Sequence, residues 1–275
     1  MQTETLVWWS GLCAVSALNL LAWAASAARV RRGQPGLPDD VQAVARLQLL
    51  LSGIYVLGCG YRSVLPVFDV QRLCLVDSVF SSVAVGRSVA TLAELCFAAQ
   101  WALLLRSMAR ATGNTLGLRI SQLQVPLIVV AELFSWRAVL TTSNLGHVVE
   151  ESLWGLCGAF VAAGLLLMRP QCAAQLRPLV ASVAAASLGY AVYMFGVDVP
   201  MYWARWVADE AQGRPYLDVW QGLVDASGRW VVSHRWEDWK SEVLWMSLYF
   251  SVAVWFSIAL IHAPVPWRRA LVHRP

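Results

Sequence analysis

Residues 145–168 read LGHVVEESLWGLCGAFVAAGLLLM, and this stretch decides both the fold class and the place of a candidate site. No charge follows Trp154 until Arg169, and the apolar length is that of a helix crossing the hydrocarbon core of a bilayer. The first turns differ, because polar side chains at i, i+3, i+4 and i+7 share one helix face: His147, Glu150, Glu151 and Trp154. Ionisable groups in a membrane span are costly and usually face a protein interior or a wet cavity. The stretch therefore predicts a functional site at one end of a transmembrane helix.

The composition of the whole chain agrees with this reading. Of its 275 residues 58% are hydrophobic and only 14% are charged, with a mean hydropathy of +0.55. One soluble core cannot hide that much apolar surface, whereas lipid accepts it without penalty. We predict an all-α integral membrane protein. The net charge of +4 does not indicate nucleic-acid binding, because the arginines are scattered at helix ends instead of forming a basic stripe with aromatic residues.

Seven apolar runs are long enough to cross a bilayer and predict a single domain, residues 1–275, built as a bundle of seven transmembrane helices. They cover about residues 6–30, 41–68, 79–108, 120–140, 145–168, 179–203 and 241–262. Positive charges follow the first run, at Arg29, Arg31 and Arg32, whereas a secretory signal carries them before its apolar run. We therefore expect a retained first helix with the N-terminus outside.

The distribution of arginines tests this topology. Short cytoplasmic connections of membrane proteins are rich in Lys and Arg. With the N-terminus outside, the inner side holds only two acids, Asp39 and Asp40, against a large set of arginines: Arg29, Arg31, Arg32, Arg46, Arg106, Arg110, Arg119, Arg169, Arg177, Arg268, Arg269 and Arg274. The pattern predicts a cytoplasmic C-terminus. The expected location is a bacterial inner (plasma) membrane.

Under this topology the polar residues of several spans converge in the outer half of the bundle. We expect a polar chamber open to the periplasm or exterior, with these candidate catalytic residues: His147, Glu150, Glu151, Glu94 and Arg87. Candidate substrate-binding residues are Glu132, Trp136, Arg137, Trp154, Tyr193, Asp198, Tyr202, Glu242 and Trp245. The alternative is a salt-bridge network with Arg87 or Arg137 that only fixes helix packing. Asp69, Arg72 and Asp77 are expected to be solvated or to fix an outer loop.

The segment from residue 204 to residue 240 connects helices 6 and 7 on the outer side. It is rich in tryptophan: Trp206, Trp220, Trp230, Trp236 and Trp239. Indoles favour the boundary between water and hydrocarbon, so residues 216–232 are expected to form a helix or hairpin in the outer interface. The segment is either an interfacial anchor or a lid over the chamber.

Several chemistries are disfavoured by the residues present. A retinal Schiff base needs a lysine in mid-membrane, and the one lysine, Lys240, lies at the edge of the seventh helix. Haem between helices needs facing histidines, but His147 and His262 lie near opposite faces. His147, Glu150, Glu151 and Asp198 could supply zinc ligands, yet no histidine pair at i, i+4 accompanies them. We expect no cofactor and no metal. Cys59 and Cys74 could pair if the second outer loop folds back.

Three classes of function remain. The favoured class is an enzyme that acts on a lipid or isoprenoid-type substrate, with Glu150 or Glu151 as acid or base, His147 as proton shuttle and Arg87 as holder of an anionic head. The second is a proton- or cation-coupled transporter, which normally needs a polar path to both sides. The third is a membrane sensor or partner subunit that recognises a ligand through the outer Trp-rich loop. Expected partners are membrane lipids and a small hydrophobic or lipid substrate, with no nucleic acid, and the sequence does not indicate which proteins, if any, bind this chain.

Overall fold

The computed structural model describes residues 1–32 and 38–263, and it confirms an all-α architecture with seven helical spans long and apolar enough to cross a membrane. The first five spans are single helices: α1 (Thr3–Arg31), α2 (Asp39–Val64), α3 (Val83–Thr112), α4 (Thr115–Thr141) and α5 (Leu145–Met168). The basic tail predicted at Arg268, Arg269 and Arg274 lies outside the described residues.

The last two spans are each interrupted by a π-helical turn. Span 6 consists of α6 (Arg177–Tyr193), a π-helical turn (Met194–Asp198) and α7 (Val199–Ala211). Two short helices follow, α8 (Val219–Gly228) and α9 (Trp236–Trp239). Span 7 consists of α10 (Val243–Leu248), a second π-helical turn (Tyr249–Ala253) and α11 (Val254–Leu260). Such wide turns are frequent at functional sites.

The ends of spans 6 and 2 differ from the sequence prediction for reasons that involve proline. Span 6 was predicted to end at residue 203, but the helix continues to Ala211. Pro200 lacks an N–H and its ring would crowd the carbonyl of Gly196, and the π-helical turn around Gly196 accommodates it without ending the helix. Span 2 was predicted to reach residue 68 but ends at Val64, because Pro66 forces Leu65 out of the helical conformation.

The order of packing leaves one gap in the bundle. Each helix from α1 to α6 packs against its neighbour in sequence, and span 7 returns to pack against α1, α2 and α3. Within the described residues α6 packs against α5 and has no extensive contact with span 7. Spans 6 and 7 therefore border a slot that no helix of the described chain fills.

A small sheet closes one end of the bundle. Strand β2 (Leu73–Cys74) pairs antiparallel with β1 (Val67–Phe68) and parallel with β3 (Val231–Val232), so the connection after span 2 is joined to the connection before span 7. We call this end the cap. Gln2 N–H donates to the carbonyl of His234 at 3.1 Å, and Leu217 N–H donates to that of Thr141 at 3.2 Å. The N-terminus and three connections thus share the capped side.

Arg72 holds the cap together. Its side chain is fully buried and its backbone has a φ of 59°, a conformation that is strained for a non-glycine residue. The guanidinium donates to Asp225 Oδ2 at 2.8 Å, to the carbonyl of Asp69 at 2.7 Å and to that of Val139 at 2.8 Å. Partial burial disfavours the charged form of Asp225, but Arg72 and Arg229 outweigh that effect and lower the pKa of the carboxyl. Arg72 therefore fixes the loop, one of the two roles expected of it.

Towards the other end of the bundle the buried polar side chains are neutral. Gln48 Nε2 donates to the carbonyl of Gln100 at 2.9 Å, and Gln100 Nε2 donates back to that of Gln48 at 3.2 Å. Ser257 Oγ donates to Gln100 Oε1 at 2.6 Å. These bonds join α2, α3 and α11 without any buried charge, and we call the group the amide cluster.

Candidate functional site

Arg87 on α3 is the centre of a buried ion-pair network below the cap. Its Nη2 lies 3.1 Å from Glu94 Oε2 and 2.9 Å from Glu132 Oε2, while its Nη1 lies 3.3 Å from Glu150 Oε1 and 3.8 Å from Asp69 Oδ2. The spacing of i, i+7 puts Arg87 and Glu94 on one face of α3. All five groups are buried. Four carboxylates exceed the charge that one guanidinium neutralises, although buried charges are normally tolerated only when paired.

Neutral donors complete this network on two sides. Thr91 Oγ1 donates to Glu132 Oε2 at 2.5 Å and accepts from Trp136 Nε1 at 3.1 Å. Tyr249, in the π-helical turn of span 7, donates through its hydroxyl to Glu94 Oε1 at 3.1 Å. These bonds fix Glu132 and Glu94 against Arg87.

His147 is held by a carboxylate of its own helix. Its Nδ1 lies 2.7 Å from Glu150 Oε2. An ionised carboxylate only accepts hydrogen bonds, so we assign a proton to Nδ1, and Nε2 has no hydrogen-bond partner among the described residues. Gly146 allows the start of α5 to approach α4 closely, since a Cβ there would lie 2.5 Å from the carbonyl oxygen of Phe134. The helix pair therefore positions a basic nitrogen in the cavity.

Two carboxylates have no partner among the described residues. Glu151 is 7% exposed and makes no hydrogen bond or ion pair with any residue of the described ranges. Asp198, at the end of the first π-helical turn, is 2% exposed, and its Oδ2 is enclosed without a hydrogen bond. Glu151 lines the cavity, whereas Asp198 lies outside its lining.

A cavity of about 440 Å³ joins this ionisable end to an apolar end in the bundle. Residues 67–70, which comprise strand β1 of the cap and the two residues after it, close the cavity at this end. Its apolar walls are formed by Phe97, Ala98, Trp101, Ile128, Cys157, Val161 and Phe256. Within the described part of the chain, the lining residues that are exposed all belong to spans 6 and 7: Ala186, Gly189, Tyr190, Leu248 and Val252. The mouth therefore opens sideways between spans 6 and 7, towards the side of the bundle that would face lipid.

The cavity brings together most of the candidate residues named from the sequence. Those that line it are Arg87, Glu94, His147, Glu150, Glu151, Trp154, Tyr193, Tyr202, Glu242 and Trp245. Glu132 and Trp136 lie outside the lining, where Glu132 accepts from Arg87 and Trp136 donates to Thr91. Asp198 is enclosed beside the cavity. Arg137 is exposed on α4 and lies outside the lining, so it does not take part in the ion-pair network.

Sequence reasoning missed the part that Asp69 and Arg205 take in the site. Asp69 was expected to be solvated or to fix its loop, but it is buried and pairs with Arg87 and, at 3.5 Å, with Arg62. Arg205 Nη2 bonds Glu242 Oε1 at 3.0 Å, and its guanidinium lies 5.2 Å from the ring centre of Phe68. No helical spacing links these residues, because the loop and the extension of span 6 bring them together from distant parts of the chain.

The Trp-rich segment from residue 204 to residue 240 does not contribute to the cavity wall. No described residue from 204 to 240 lines it, and α8 packs instead on α3 and α4. Trp220 on α8 is 75% exposed. This arrangement suits an interfacial anchor better than a lid. Cys59 and Cys74, considered as a disulfide pair, are both free and buried thiols.

One group of carboxylates has the spacing of metal ligands. Oxygens of Glu94, Glu132 and Glu150 lie within 4.8 Å of one another. The Arg87 guanidinium bonds all three, and it therefore supplies the positive charge that a metal ion would bring. Because the Arg87 guanidinium is bonded to all three carboxylates, Glu94, Glu132 and Glu150 do not fit a metal centre.

Comparisons with known proteins identify no relative of this chain. Neither the protein-family models, nor the curated proteins, nor the solved structures contain a match. Its function is therefore inferred from the cavity and the groups that line it.

Proposed function

We propose that this chain is a membrane-embedded enzyme that acts on a lipid or isoprenoid-type substrate by acid/base chemistry. The observation that carries the proposal is the cavity, with His147 and Glu151 at its ionisable end, apolar walls at its other end and a mouth between spans 6 and 7. An apolar chain can pass through such a mouth from the bilayer. Its reactive head then meets the ionisable groups beneath the cap.

His147 is the proposed general base. Nε2 has no partner among the described residues, while Nδ1 is bonded to Glu150, which Arg87 in turn binds. A base oriented by a carboxylate on its other nitrogen is the usual arrangement in acid/base and nucleophilic catalysis. Glu151 is the second proton-transfer group. Arg87 is a positioning residue and not the holder of an anionic head, because its charge is committed to four carboxylates.

The chemistry is proposed for the outer leaflet of a bacterial inner membrane. Support comes from the side opposite the cap, where the helix ends and connections carry a cluster of arginines: Arg29, Arg31, Arg32, Arg106, Arg110, Arg169 and Arg177. A green fluorescent protein fused to the C-terminus should fluoresce in bacterial cells, since it folds in the cytoplasm. A C-terminal periplasmic reporter that is active instead would reverse the orientation.

The enzymatic proposal is tested by lipid mass spectrometry of membranes that contain the wild type, His147→Gln or Glu151→Gln at equal protein levels. We expect the wild type to change at least one lipid or isoprenoid species and both variants to leave it unchanged. Arg137→Gln removes an exposed charge outside the cavity and serves as the matched control. Identical lipid profiles for wild type, variants and empty membranes would contradict the proposal.

A second candidate is a proton- or cation-coupled transporter. The unpartnered carboxylates of Glu151 and Asp198 favour it, since both can take up a proton or cation. The amide cluster on the opposite side offers no charged path, which is the weakness of this candidate. Proton flux into liposomes that depends on Glu151, without any change in lipids, would favour the transporter.

A further inference from the structure

The buried charges around the cavity are mostly negative. Every buried carboxylate of the described residues lies in this region: Asp69, Glu94, Glu132, Glu150, Glu151, Asp198 and Glu242. The arginines that reach them are Arg62, Arg87 and Arg205. The region therefore has a surplus of negative charge if its acids are ionised.

Each of these arginines is already paired with a buried carboxylate, and Arg205, whose Nη1 has no hydrogen bond among the described residues, lies outside the cavity lining. Arg87 is surrounded by four carboxylates, Arg62 bonds Asp69, and Arg205 bonds Glu242. An anionic head would have to displace one of these buried pairs, and breaking a buried pair is strongly unfavourable. The cavity is thus poorly suited to a phosphate or carboxylate head.

Among these carboxylates, Glu151 is the one whose surroundings indicate a ligand. It is more than nine-tenths buried, lies in the cavity wall and has no partner among the described residues. A buried carboxylate without a partner is costly unless it takes up a proton or meets a counter-cation. The space in front of it is part of the cavity, so a ligand can supply that cation.

Aromatic side chains line the same cavity as Glu151. Trp154 follows Glu151 by three residues on α5 and lines the cavity with it. Tyr190 and Tyr193 also line the cavity, whereas the ring of Tyr202 is covered by the Arg205 guanidinium, 5.2 Å from its centre. Aromatic faces beside a carboxylate are the arrangement by which proteins recognise organic ammonium groups.

We propose that the substrate of this cavity is an amphiphile whose head is an organic ammonium group, bound by Glu151 and the aromatic side chains, and whose apolar chain lies between Phe97, Trp101 and Phe256. The inference rests on the proposed function, because it names the substrate class of the same cavity. An inorganic cation would leave the apolar end of the cavity without an occupant. A neutral amphiphile would leave Glu151 without a counter-charge.

The test is a binding measurement on the full chain in dodecyl maltoside, with tritiated hexadecyltrimethylammonium as the probe. Hexadecanol and hexadecanoate, which have the same chain length, are the competitors. We expect the wild type to prefer the ammonium by about tenfold or more, the effect of a contact between an organic cation and aromatic faces in a site shielded from water. Glu151→Gln should lose that preference. Glu4→Gln removes an equal charge from an exposed position and should keep it.

A second pair of variants covers the case in which Glu151→Gln does not fold. Trp154→Phe keeps an aromatic face and Trp154→Leu does not, so the leucine variant should lose more of the ammonium preference. Equal losses in the two variants would count against the aromatic contact. The proposal is overturned if the wild type binds the three heads equally, or if Glu151→Gln keeps the preference. It is also overturned if low-millimolar CaCl₂ alone displaces the probe, which would assign the position to an inorganic cation.

These results are separable from the enzymatic proposal. An ammonium preference without any change in membrane lipids would leave this inference standing and remove the enzymatic function. A lipid change that depends on His147 and Glu151, without an ammonium preference, would do the reverse.

Discussion

Two buried arginines, Arg72 and Arg87, lie close to the same end of the bundle but have different surroundings. Arg72 faces one carboxylate, Asp225, and two backbone carbonyls. Arg87 faces four carboxylates from a loop and three helices. The first group fixes the cap, and the second adjoins the cavity.

The difference lies in how the charges balance. Arg72 lies in the cap, beside strand β3, and its one positive charge is balanced by the carboxylate of Asp225 on α8. No further charged partner is needed there. The surroundings of Arg87 keep a surplus of carboxylates, and Glu151 lies beside them without a partner. A network with a purely structural role is not expected to contain more carboxylates than arginines, because each uncompensated buried charge costs stability. Binding of a cationic ligand or transfer of a proton would explain why the surplus of carboxylates is present.

The largest effect is expected when Arg87 is replaced. Arg87→Met leaves Asp69, Glu94, Glu132 and Glu150 without their shared cation, and breaking a buried pair typically costs about 3–5 kcal/mol. We expect the variant to accumulate poorly or to unfold at a much lower temperature in detergent. Fluorescence-detected size-exclusion chromatography after heating measures the change.

Arg137→Met is the matched control for that experiment, since it removes an exposed arginine of the same bundle end. Combining Arg87→Met with Glu94→Gln and Glu132→Gln should restore part of the stability, because fewer buried charges then lack a partner. A single Arg87→Met variant as stable as Arg137→Met would show that the network is not a unit of stability.

A smaller effect is expected at the cap. Arg72→Met removes three hydrogen bonds, but Asp225 keeps its ion pair with Arg229. We expect a loss of about 1.5–3 kcal/mol, the range for hydrogen bonds that involve charged groups. Ammonium binding in the cavity should be unchanged at temperatures where the variant is folded. Loss of binding without loss of thermal stability would mean that the cap and the cavity are coupled.

The fold was largely predictable because hydrophobic run length is a local property. Seven runs gave seven spans, and α5 has the bounds expected for it, Leu145–Met168. The misplaced end of span 6 has a local cause: Arg205, Asp209 and Glu210 make residues 204–211 read as a polar loop, although they continue the helix beyond Pro200. Composition alone does not distinguish a helix that extends past the membrane from a connection.

The site was predictable where helix periodicity operates. His147, Glu150, Glu151 and Trp154 share a face of α5 and all line the cavity, as their spacing indicates. Periodicity does not show which arginine meets which acid. The burial of Asp69 and the commitment of Arg87 to four carboxylates depend on tertiary packing between a loop and three helices.

Replacing Glu151 distinguishes its role in ligand binding from any contribution to the stability of the fold. Glu151→Gln removes a buried charge that has no partner, so the variant should be as stable as the wild type or more stable by about 1 kcal/mol. Thermal unfolding without added ligand measures this. Glu132→Gln is the matched control and should be less stable, because that carboxylate bonds Arg87 and Thr91. A destabilised Glu151→Gln beside a stable Glu132→Gln would reverse the contrast between the two acids.

The smallest expected effect is the pH dependence of the cap. Arg72 and Arg229 lower the pKa of Asp225 below that of the unfolded chain, near about 3.9. The stability that this carboxylate contributes is therefore fully present above that pH, and it is lost as the pH falls through the lowered value in the folded state. The difference in unfolding temperature between wild type and Asp225→Asn should be constant from pH 7 to 5 and should shrink towards pH 3. Since one of its two partners is exposed, we expect a contribution of less than about 1 kcal/mol. In the Arg72→Met background the difference should be smaller at every pH, and a difference that persists unchanged to pH 3 would mean that Asp225 does not act as the counter-ion of Arg72.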